Sequence, residues 1–262
     1  MIGAERRNII LEKLQEEKKV VVSELSGLFE VSEETIRRDL DRLDKEGLAV
    51  KSYGGATLPE KDSSIDLPFM VRQKKNMVGK RKIAKLLADL IEDGDHIIVD
   101  PSTTTLSMIR EIRNKERLTI ITNSIEVMIE LNEQEGWDVL STGGQLKANY
   151  LALVGPKTIE SLKAFNADKV IFSCKGIDME KGITDANELF SATKSAMLSS
   201  AGLKILAVDC TKFGSVAFSK ICEACDMDMI VTDQRPDDAW LKYFKDKGIE
   251  CVYEEDSDNS IR

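Results

Sequence analysis

The 262-residue chain lacks any long apolar run. No segment approaches the roughly 20 consecutive apolar residues that a membrane-spanning helix needs. The charged start MIGAERRNIILEKLQEEKK contains no signal-peptide core. We therefore expect a cytoplasmic protein with no membrane contact.

Cysteine and histidine are also scarce. Five cysteines, an odd number without an even spacing, favour reduced thiols over a disulfide framework. Cys222 and Cys225 form one C-x-x-C pair, but a structural zinc site needs a second pair of ligands and His96 is the only histidine. The sequence predicts neither a metal site nor a cofactor.

Positive charge is in short supply as well. The formal net charge is -9, and residues 1–60 hold 10 Lys and Arg against 13 Asp and Glu. The net charge speaks against a protein that binds nucleic acid through an overall positive charge. Any binding to nucleic acid must depend on local placement of cations. With 42% hydrophobic and 32% charged residues, a chain of this length predicts one small and one larger globular domain.

The first 57 residues have the pattern of a winged helix-turn-helix domain. Apolar residues at helical spacing predict a helix over residues 4–17 and a short second helix, for which Ser23 is the expected N-cap. Residues 48–51 predict a strand, and Gly54 and Gly55 predict the turn of a small wing.

A third helix is predicted between these elements. Ser32 is its expected N-cap, two glutamates occupy its first turn, and Gly47 is placed to end it. At 100° per residue, Arg38 and Arg42 fall opposite the apolar face together with Lys45. Such a helix can enter a major groove, where arginine contacts phosphates or guanine edges. A solvated basic face and a helix used only for protein contacts are the alternatives.

Beyond the wing, the composition changes. Residues 58–68, which include two of the five prolines, predict a linker, and the acidic residues 254–262 predict a disordered tail. A helical segment is predicted over residues 69–92. Seven apolar runs then alternate with amphipathic helices, and they predict a mostly parallel α/β sheet covered on both faces. The predicted strands are 96–100, 118–122, 137–141, 168–173, 203–209, 228–232 and 249–253.

Polar signals follow five consecutive predicted strands. They are DPSTTT at 100–105, TNS at 122–124, TGG at 142–144, CKGID at 174–178 and DCTKFG at 209–214. Ligands in parallel α/β sheets bind at the carboxyl ends of the strands, and hydroxyls and N–H groups at a helix start bind phosphate. The sequence therefore predicts a site for a phosphorylated sugar. Its anion binders would be Ser102, Thr103, Thr104, Thr105 and Lys212, and its hydroxyl partners would be Asp100, Asn123 and Asp178.

Both parts of the chain resemble one protein family. Residues 5–56, with VS..TIRRDL..L...G and the final Gly-Gly-Ala, resemble the N-terminal domain of the DeoR family of bacterial transcriptional regulators. Residues 69–253 resemble the C-terminal sensor domain of that family, with F..R...N.....KIA, D.STTT, TNS, GG, GID...G.T, K.AM and KFG in order. This domain is similar in fold to ribose-5-phosphate isomerases and coenzyme A transferases, and the usual ligands of the family are sugar phosphates.

The resemblance implies a DNA-binding repressor of a sugar or polyol metabolism operon, controlled by a phosphorylated sugar. One recognition helix per chain reads too few base pairs, so a homo-oligomer, dimer or tetramer, is expected. The candidate DNA-binding residues are Ser32, Thr35, Arg37, Arg38, Arg42, Lys45, Lys51 and Tyr53. The candidate ligand-binding residues are Asp100, Ser102, Thr103, Thr104, Thr105, Thr122, Asn123, Ser124, Gly143, Gly144, Lys175, Gly176, Asp178, Lys194 and Lys212.

Two departures from the family pattern stand in these motifs. Tyr53 occupies a position before the wing glycines where histidine is common, and Pro101-Ser102 replaces the more usual Ser-Gly. Proline removes a backbone donor and serine restricts φ, so the phosphate loop is expected to differ in detail.

The alternative function is a sugar-phosphate isomerase or transferase fused to a helical domain. Isomerisation needs a positioned general base, for which Asp100, Asp178 and Glu188 are the candidates. The glycine-rich, glutamate-bearing loop that supplies this base in the isomerases is missing, and GITDANELFSATKSAM occupies the region. No catalytic residue is therefore predicted.

Overall fold

The structure, a computed structural model, describes residues 3–45, 48–57 and 69–254. The chain divides into two compact units, one that ends at Lys75 and one that begins at Asn76. The predicted linker at 58–68, the predicted helix end at Gly47 and the predicted tail, apart from its first residue, lie outside the described residues.

The first unit is a winged helix-turn-helix, as the sequence predicts. In chain order its elements are α1 Gly3–Glu17, β1 Lys19–Val21, α2 Val22–Phe29, α3 Glu33–Lys45, β2 Val50–Ser52, β3 Gly55–Thr57 and α4 Phe69–Lys74. Strand β3 lies between β1 and β2 and pairs antiparallel with both. The first strand, β1, was not predicted, because three residues are too few to show a period of two.

The helices of the first unit pack around a shared core. Ile10 on α1, Leu25 on α2 and Leu40 on α3 are each at most 1% exposed and belong to one cluster. Ser23 does not cap α2, contrary to the prediction, because it lies inside the helix, which begins at Val22 with Val21 at the N-cap position. The chain enters α2 directly from β1, and the Val22 N–H donates to the carbonyl of Gly54 in the wing turn at 2.8 Å.

A buried ion pair joins the first and third helices. Asp39 is 4% exposed, and its two carboxylate oxygens accept from Arg6 Nε at 2.6 Å and from Arg7 Nη1 at 3.2 Å. The exposed fraction of Arg6 is only 8%. Because a buried carboxylate without a partner is strongly unfavourable, this contact fixes how α1 packs on α3.

Helix α4 lies in the first unit, whereas the sequence prediction placed residues 69–75 in the second domain. Val71 is 8% exposed and packs in the same core cluster as the helices of the winged domain. Phe69, at the start of α4, is 1% exposed. The division between the two units therefore falls at Lys75 and Asn76, after this short helix.

The second unit is an α/β domain. Its helices are α5 Met77–Asp89, α6 Thr103–Glu111, α7 Ile125–Glu130, α8 Pro156–Lys163, α9 Glu188–Leu198 and α10 Asp238–Lys247. Its strands are β4 His96–Val99, β5 Thr119–Thr122, β6 Asp138–Ser141, β7 Gln145–Lys147, β8 Ala152–Val154, β9 Ala167–Phe172, β10 Gly176–Asp178, β11 Gly182–Asp185, β12 Ala201–Ala207, β13 Ser219–Cys222, β14 Met229–Val231 and β15 Glu250–Val252. Short 3-10 turns span Ala148–Tyr150, Cys210–Lys212 and Ala224–Asp226.

Seven of these strands form one parallel sheet in the order β15-β14-β12-β9-β4-β5-β6. All seven predicted strands are found in it, within two residues of their predicted ends. The chain runs outward from β4 through β5 to β6, and then returns to the other side of β4 as β9. The order therefore reverses between β4 and β9, and ligands in such sheets bind at this switch point, beyond the carboxyl ends of the strands.

Two smaller sheets were not predicted. Strands β7 and β8 form an antiparallel hairpin, and β10, β11 and β13 form a three-stranded antiparallel sheet. Their strands are only three or four residues long, so they show no clear alternation in the sequence. None of the helices that the structure describes has the length and apolar character needed to cross a membrane.

Candidate functional site

Helix α3 has the two faces that the sequence predicts. Ile36, Leu40 and Leu43 are each at most 1% exposed, whereas Arg38 and Arg42 are exposed on the other side. Arg37 and Lys45 are exposed as well. This side of the winged domain offers a group of cations to a partner.

The cations of this surface are partly matched by acids from the same unit. Arg37 Nη2 lies 2.5 Å from Glu33 Oε2, and Arg38 Nε lies 3.3 Å from Glu34 Oε1, one helical turn earlier in each case. Such exposed pairs contribute little, about 0.3 to 0.5 kcal/mol each. DNA phosphates or base edges can therefore replace these glutamates at small cost.

The remaining candidate DNA-binding residues lie at the start of α3 and in the wing. The Ser32 hydroxyl accepts from the Thr35 N–H at 3.3 Å and lies 2.9 Å from the Thr35 hydroxyl, so Ser32 caps the helix as predicted. Lys51, on β2, pairs with Asp41 of α3, which ties the wing to the helix. Tyr53 is fully exposed at the tip of the wing.

In the second unit, Asp100 lies at the switch point, directly after β4. Its side chain is completely buried. Oδ1 accepts from the Ser102 N–H at 3.1 Å and from the Thr105 hydroxyl at 3.0 Å, while Oδ2 accepts from the Ser173 N–H at 3.1 Å. The carboxylate therefore joins the loop after β4 to the loop after β9, across the point where the strand order reverses.

Lys194, on α9, completes this arrangement. Its Nζ lies 3.2 Å from Asp100 Oδ2 and 2.6 Å from Asp185 Oδ2, and it donates to the Ser173 carbonyl at 2.5 Å. Burial by itself would lower the pKa of Lys194, but the carboxylates of Asp185 and Asp100 hold that pKa well above its ordinary value. Burial would likewise raise the pKa of Asp185, and the Lys194 ammonium lowers it. Lys194 and Asp185 are therefore both charged at neutral pH.

The loop between β4 and α6 is ordered by its own side chains. The Ser102 hydroxyl caps α6 by accepting the Thr105 N–H at 3.1 Å. Ser102 has φ -87°, a conformation open to any residue, which explains why serine is tolerated there in place of glycine. The Thr104 N–H, in the first turn, has no acceptor within the helix. Thr104 is therefore placed to meet an anion at the helix start.

The loop after β5 holds Asn123 in one orientation. The side chain is completely buried, and Nδ2 donates to the Leu153 carbonyl at 2.7 Å. The opposite atom, Oδ1, is buried and has no hydrogen-bond partner among the described residues. Its neighbours Thr122 and Ser124 are engaged locally: Thr122 Oγ1 donates to the Val99 carbonyl at 2.8 Å, and the Ser124 hydroxyl caps α7. Asn123 thus offers one acceptor to a ligand hydroxyl.

Two candidate glycines lie where a side chain would clash. At Gly144, with φ +123°, a Cβ would lie 2.1 Å from Thr158 Oγ1. At Gly176 it would lie 2.1 Å from the Ser215 carbonyl oxygen, in the segment that follows Lys212. The Gly214 N–H donates to the Ile177 carbonyl at 2.9 Å. The loop that carries Lys212 is therefore packed closely on β10.

The candidate ligand-binding residues Gly143, Lys175 and Asp178 lie in three different environments. Gly143 is exposed, and its carbonyl accepts from the Thr158 hydroxyl at 2.7 Å. Lys175 is half-buried, with its Nζ 6.0 Å from the centre of the Tyr150 ring. Asp178 contacts none of the switch-point residues; its Oδ1 accepts from the N–H groups of Lys181 and Glu180 in the β10–β11 turn, which lowers its pKa. In this structure Asp178 shapes a turn.

Sequence reasoning missed Asp185 and Ser173. Asp185 is 4% exposed at the end of β11, and Ser173 is 7% exposed after β9. Their sequence context carries no signal, because an acid nine positions before a lysine matches neither the helical nor the strand period. Only the packing of α9 against β9 and β11 brings them to Lys194.

The five cysteines are free thiols in this structure. Burial raises the pKa of the Cys174 thiol to about 12, so it is protonated at neutral pH. Cys222 is half-buried and Cys225 is exposed. Within residues 3–45, 48–57 and 69–254, no group of three or more His, Cys, Asp or Glu side chains is placed to hold a metal ion.

A winged helix-turn-helix with a basic helix face, followed by an α/β unit with a polar switch point, defines a DNA-binding regulator with a sensor domain. Comparison with known families supports this class: the DeoR-like helix-turn-helix domain matches residues 6–62, and the DeoR C terminal sensor domain matches residues 75–234. The chain belongs to the DeoR family of transcriptional regulators, which confirms the resemblance stated above.

Individual relatives are similar in sequence to nearly the whole chain. The uncharacterized HTH-type transcriptional regulator YulB of Bacillus subtilis is 39% identical over 253 residues, 96% of this chain and 97% of that protein. The HTH-type transcriptional repressor GlcR of the same organism is 33% identical, covering 97% and 98%. The glycerol-3-phosphate regulon repressor of Escherichia coli is 29% identical, covering 95% and 98%. Among solved structures, ribose 5-phosphate isomerase A of Methanocaldococcus jannaschii is 17% identical, with a TM-score of 0.37 over 51% of this chain and 53% of that chain.

Proposed function

We propose that this protein is a homo-oligomeric repressor of a sugar or polyol metabolism operon, and that a phosphorylated sugar controls it. The observation that carries the proposal is the buried switch-point cluster around Asp100, where a carboxylate and a lysine order the hydroxyl-rich start of α6. Two of the relatives, a transcriptional repressor and a glycerol-3-phosphate regulon repressor, support it. Action on an operator implies a cytoplasmic location.

The proposed ligand site combines anion binders with hydroxyl partners. The start of α6, with Thr104 at its first turn, and Lys212 would hold the phosphate, because N–H groups at a helix start and a lysine ammonium both favour an anion. Asn123 Oδ1, which is buried without a partner among the described residues, would accept a hydrogen bond from a sugar hydroxyl. Such a site selects a ligand that carries a phosphate at one end and hydroxyls at the other.

The same geometry argues for binding without turnover. An isomerase needs a base with a free lone pair beside the substrate. Both oxygens of Asp100 are engaged by protein donors, and Asp178 holds a turn. Glu188 is exposed at the start of α9. We therefore place the chain among regulators rather than sugar-phosphate isomerases or transferases.

Arg38→Ala should weaken binding to operator DNA by about 1 to 3 kcal/mol if the arginine makes a bidentate contact to a guanine. The duplex would be selected from a random pool with the wild-type protein, and affinity measured by fluorescence anisotropy at fixed salt. Arg110→Ala is the matched control, because Arg110 is also exposed and paired with a glutamate, Glu130, but lies on α6 of the second unit. Wild-type affinity in both Arg38→Ala and Arg42→Ala would remove α3 from the DNA interface.

A phosphorylated sugar should raise the melting temperature of the second unit and release operator DNA. A ligand at 100 times its Kd adds about 2.7 kcal/mol of stability, and coupling between two sites is typically about 1 to 3 kcal/mol and reciprocal. We would screen glucose 6-phosphate, glycerol 3-phosphate and ribose 5-phosphate, with glucose and glycerol as unphosphorylated controls. NMR spectra of the same samples should show no new sugar species over hours.

Lys212→Ala provides the matched variant for this screen. It should abolish the response to the phosphorylated sugar and leave ligand-free DNA binding intact, since Lys212 lies in the loop after β12 and outside the DNA-binding unit. Loss of DNA binding by Lys212→Ala with fold and oligomeric state unchanged would contradict the division of roles between the two units. Product accumulation at an enzymatic rate would contradict the regulator function itself.

A further inference from the structure

The ammonium of Lys194 lies in the middle of the switch-point cluster, yet it has no proton left for a ligand. A lysine ammonium has three donors. In this structure they face the Ser173 carbonyl at 2.5 Å, Asp185 Oδ2 at 2.6 Å and Asp100 Oδ2 at 3.2 Å. The residue is only 7% exposed. Contact with a phosphate would require one of these three bonds to break.

The buried carboxylate of Asp100 is compensated by the ammonium of Lys194. Four donors converge on this carboxylate: the N–H groups of Ser102 and Ser173, the Thr105 hydroxyl and the Lys194 ammonium. An ionised carboxylate is the form that accepts four such bonds. A completely buried negative charge beside the start of α6 would repel an incoming phosphate. Lys194 offsets that charge at Oδ2, whereas the loop residues Ser102 and Thr105 donate to Oδ1.

Asp185 fixes the position of the lysine. Its Oδ2 accepts from Lys194 at 2.6 Å, and its Oδ1 accepts from the Ala186 N–H at 2.7 Å. The carboxylate is thereby held at the end of β11. A continuous series of contacts runs from Asp185 through Lys194 to Asp100 and on to the loop at residues 102–105.

We propose that Lys194 and Asp185 are positioning residues of the sensor site: Lys194 neutralises and orients Asp100 so that the loop at residues 102–105 can accept a phosphate group, without touching the ligand itself. This inference rests on the proposed binding of a phosphorylated sugar. It assigns Lys194 a role different from the ligand contact that the family resemblance implies, and it adds Asp185 to the site.

The test uses the full-length chain and three probes: inorganic phosphate, glucose 6-phosphate and glycerol 3-phosphate. Lys194→Met should weaken binding of the probes that the wild type binds by at least tenfold, measured by calorimetry. Lys169→Met is the matched control, because Lys169 is also largely buried and bonded to an aspartate, Asp95, but lies at the amino ends of the strands. Its affinity for the same probes should stay within twofold of wild type.

A double variant separates positioning from direct contact. If Lys194 acts by neutralising Asp100, then Asp100→Asn combined with Lys194→Met should bind phosphate several-fold more tightly than Lys194→Met alone. A lysine that touches the phosphate gives no such rescue, and a double variant no better than the single one would overturn the inference. Tryptophan fluorescence melting checks that each variant is folded at the titration temperature.

Asp185→Asn covers the case in which Lys194→Met does not fold. It keeps the ammonium beside Asp100 but removes the charged partner that fixes its position, so it should weaken phosphate binding at least threefold. Wild-type affinity in this variant, or in a folded Lys194→Met, would refute the positioning role while the proposed sensor function stands. A wild-type protein that binds none of the three probes would refute both.

Discussion

Replacing Asp39 by asparagine should destabilise the DNA-binding unit by about 3 to 5 kcal/mol, because it removes one partner of a buried ion pair. The carboxylate is 4% exposed and holds Arg6 Nε at 2.6 Å and Arg7 Nη1 at 3.2 Å. An amide keeps one oxygen and no charge, so the Arg6 guanidinium is left buried without its counterion. A loss of this size is a large part of the stability of a small domain.

The two tryptophans make this effect easy to localise. Trp137 and Trp240 both lie in the second unit. In Asp39→Asn, far-UV circular dichroism should therefore show an early loss of helix, while the transition followed by tryptophan fluorescence stays where it is in the wild type. Operator binding should fall at temperatures above the early transition.

Asp41→Asn is the matched control for this experiment. Asp41 is two positions away on the same helix, but its side chain is 44% exposed and pairs with Lys51 at the surface. Exposed pairs of this kind contribute little to stability. If Asp39→Asn melted like Asp41→Asn, the buried contact between α1 and α3 would not be a main determinant of the stability of the unit.

Phe172→Ala should destabilise the second unit by about 3 to 5 kcal/mol, the range for removing a buried aromatic ring. Phe172 is 0% exposed and ends β9, the strand beside the switch point. It packs in the same core cluster as Trp240. The next residue, Ser173, bonds both Asp100 and Lys194, so the cavity would open directly beneath the candidate site.

In contrast to Asp39→Asn, Phe172→Ala should shift the unfolding transition of the second unit, which contains both tryptophans. The denaturation midpoint followed by tryptophan fluorescence should fall in Phe172→Ala, with little change in Phe218→Ala, whose ring is 79% exposed. Phosphate binding should weaken in parallel with the lost stability of the switch point. A midpoint equal to that of the wild type would mean that β9 is not the central core strand that the sheet order indicates.

Much of the fold could be predicted because its signals are local. The apolar spacing of Ile36, Leu40 and Leu43 indicates both α3 and its buried face, and the run HIIVD indicates β4. The polar ends of the strands also follow from the sequence, since parallel strands bring their carboxyl ends to one edge. The residues Ser102, Thr104 and Asn123 could therefore be named as site candidates before their contacts were known.

Elements with weak local signals were missed. The strands β1, β7, β8, β10, β11 and β13 span three or four residues each, and they form because the neighbouring chain satisfies their backbone groups. The start of α2 was placed two residues late, because the N–H of its first residue, Val22, donates to the carbonyl of Gly54, which is distant in sequence. Helix α4 was assigned to the wrong unit because the sequence does not show in which hydrophobic core Val71 is buried. In the structure it packs in the core of the first unit.

The sequence by itself determined the two-domain plan, the basic face of α3 and the polar strand ends, because caps and apolar periods act over one or two turns of chain. Only the tertiary structure decided which charges meet. Arg6 finds Asp39 through the packing of α1 on α3, and Lys194 finds Asp185 and Asp100 through the placement of α9 beside β9 and β11. A buried charge must be paired wherever it lies, but the identity of its partner depends on strand order and helix packing, which involve residues far apart in the chain.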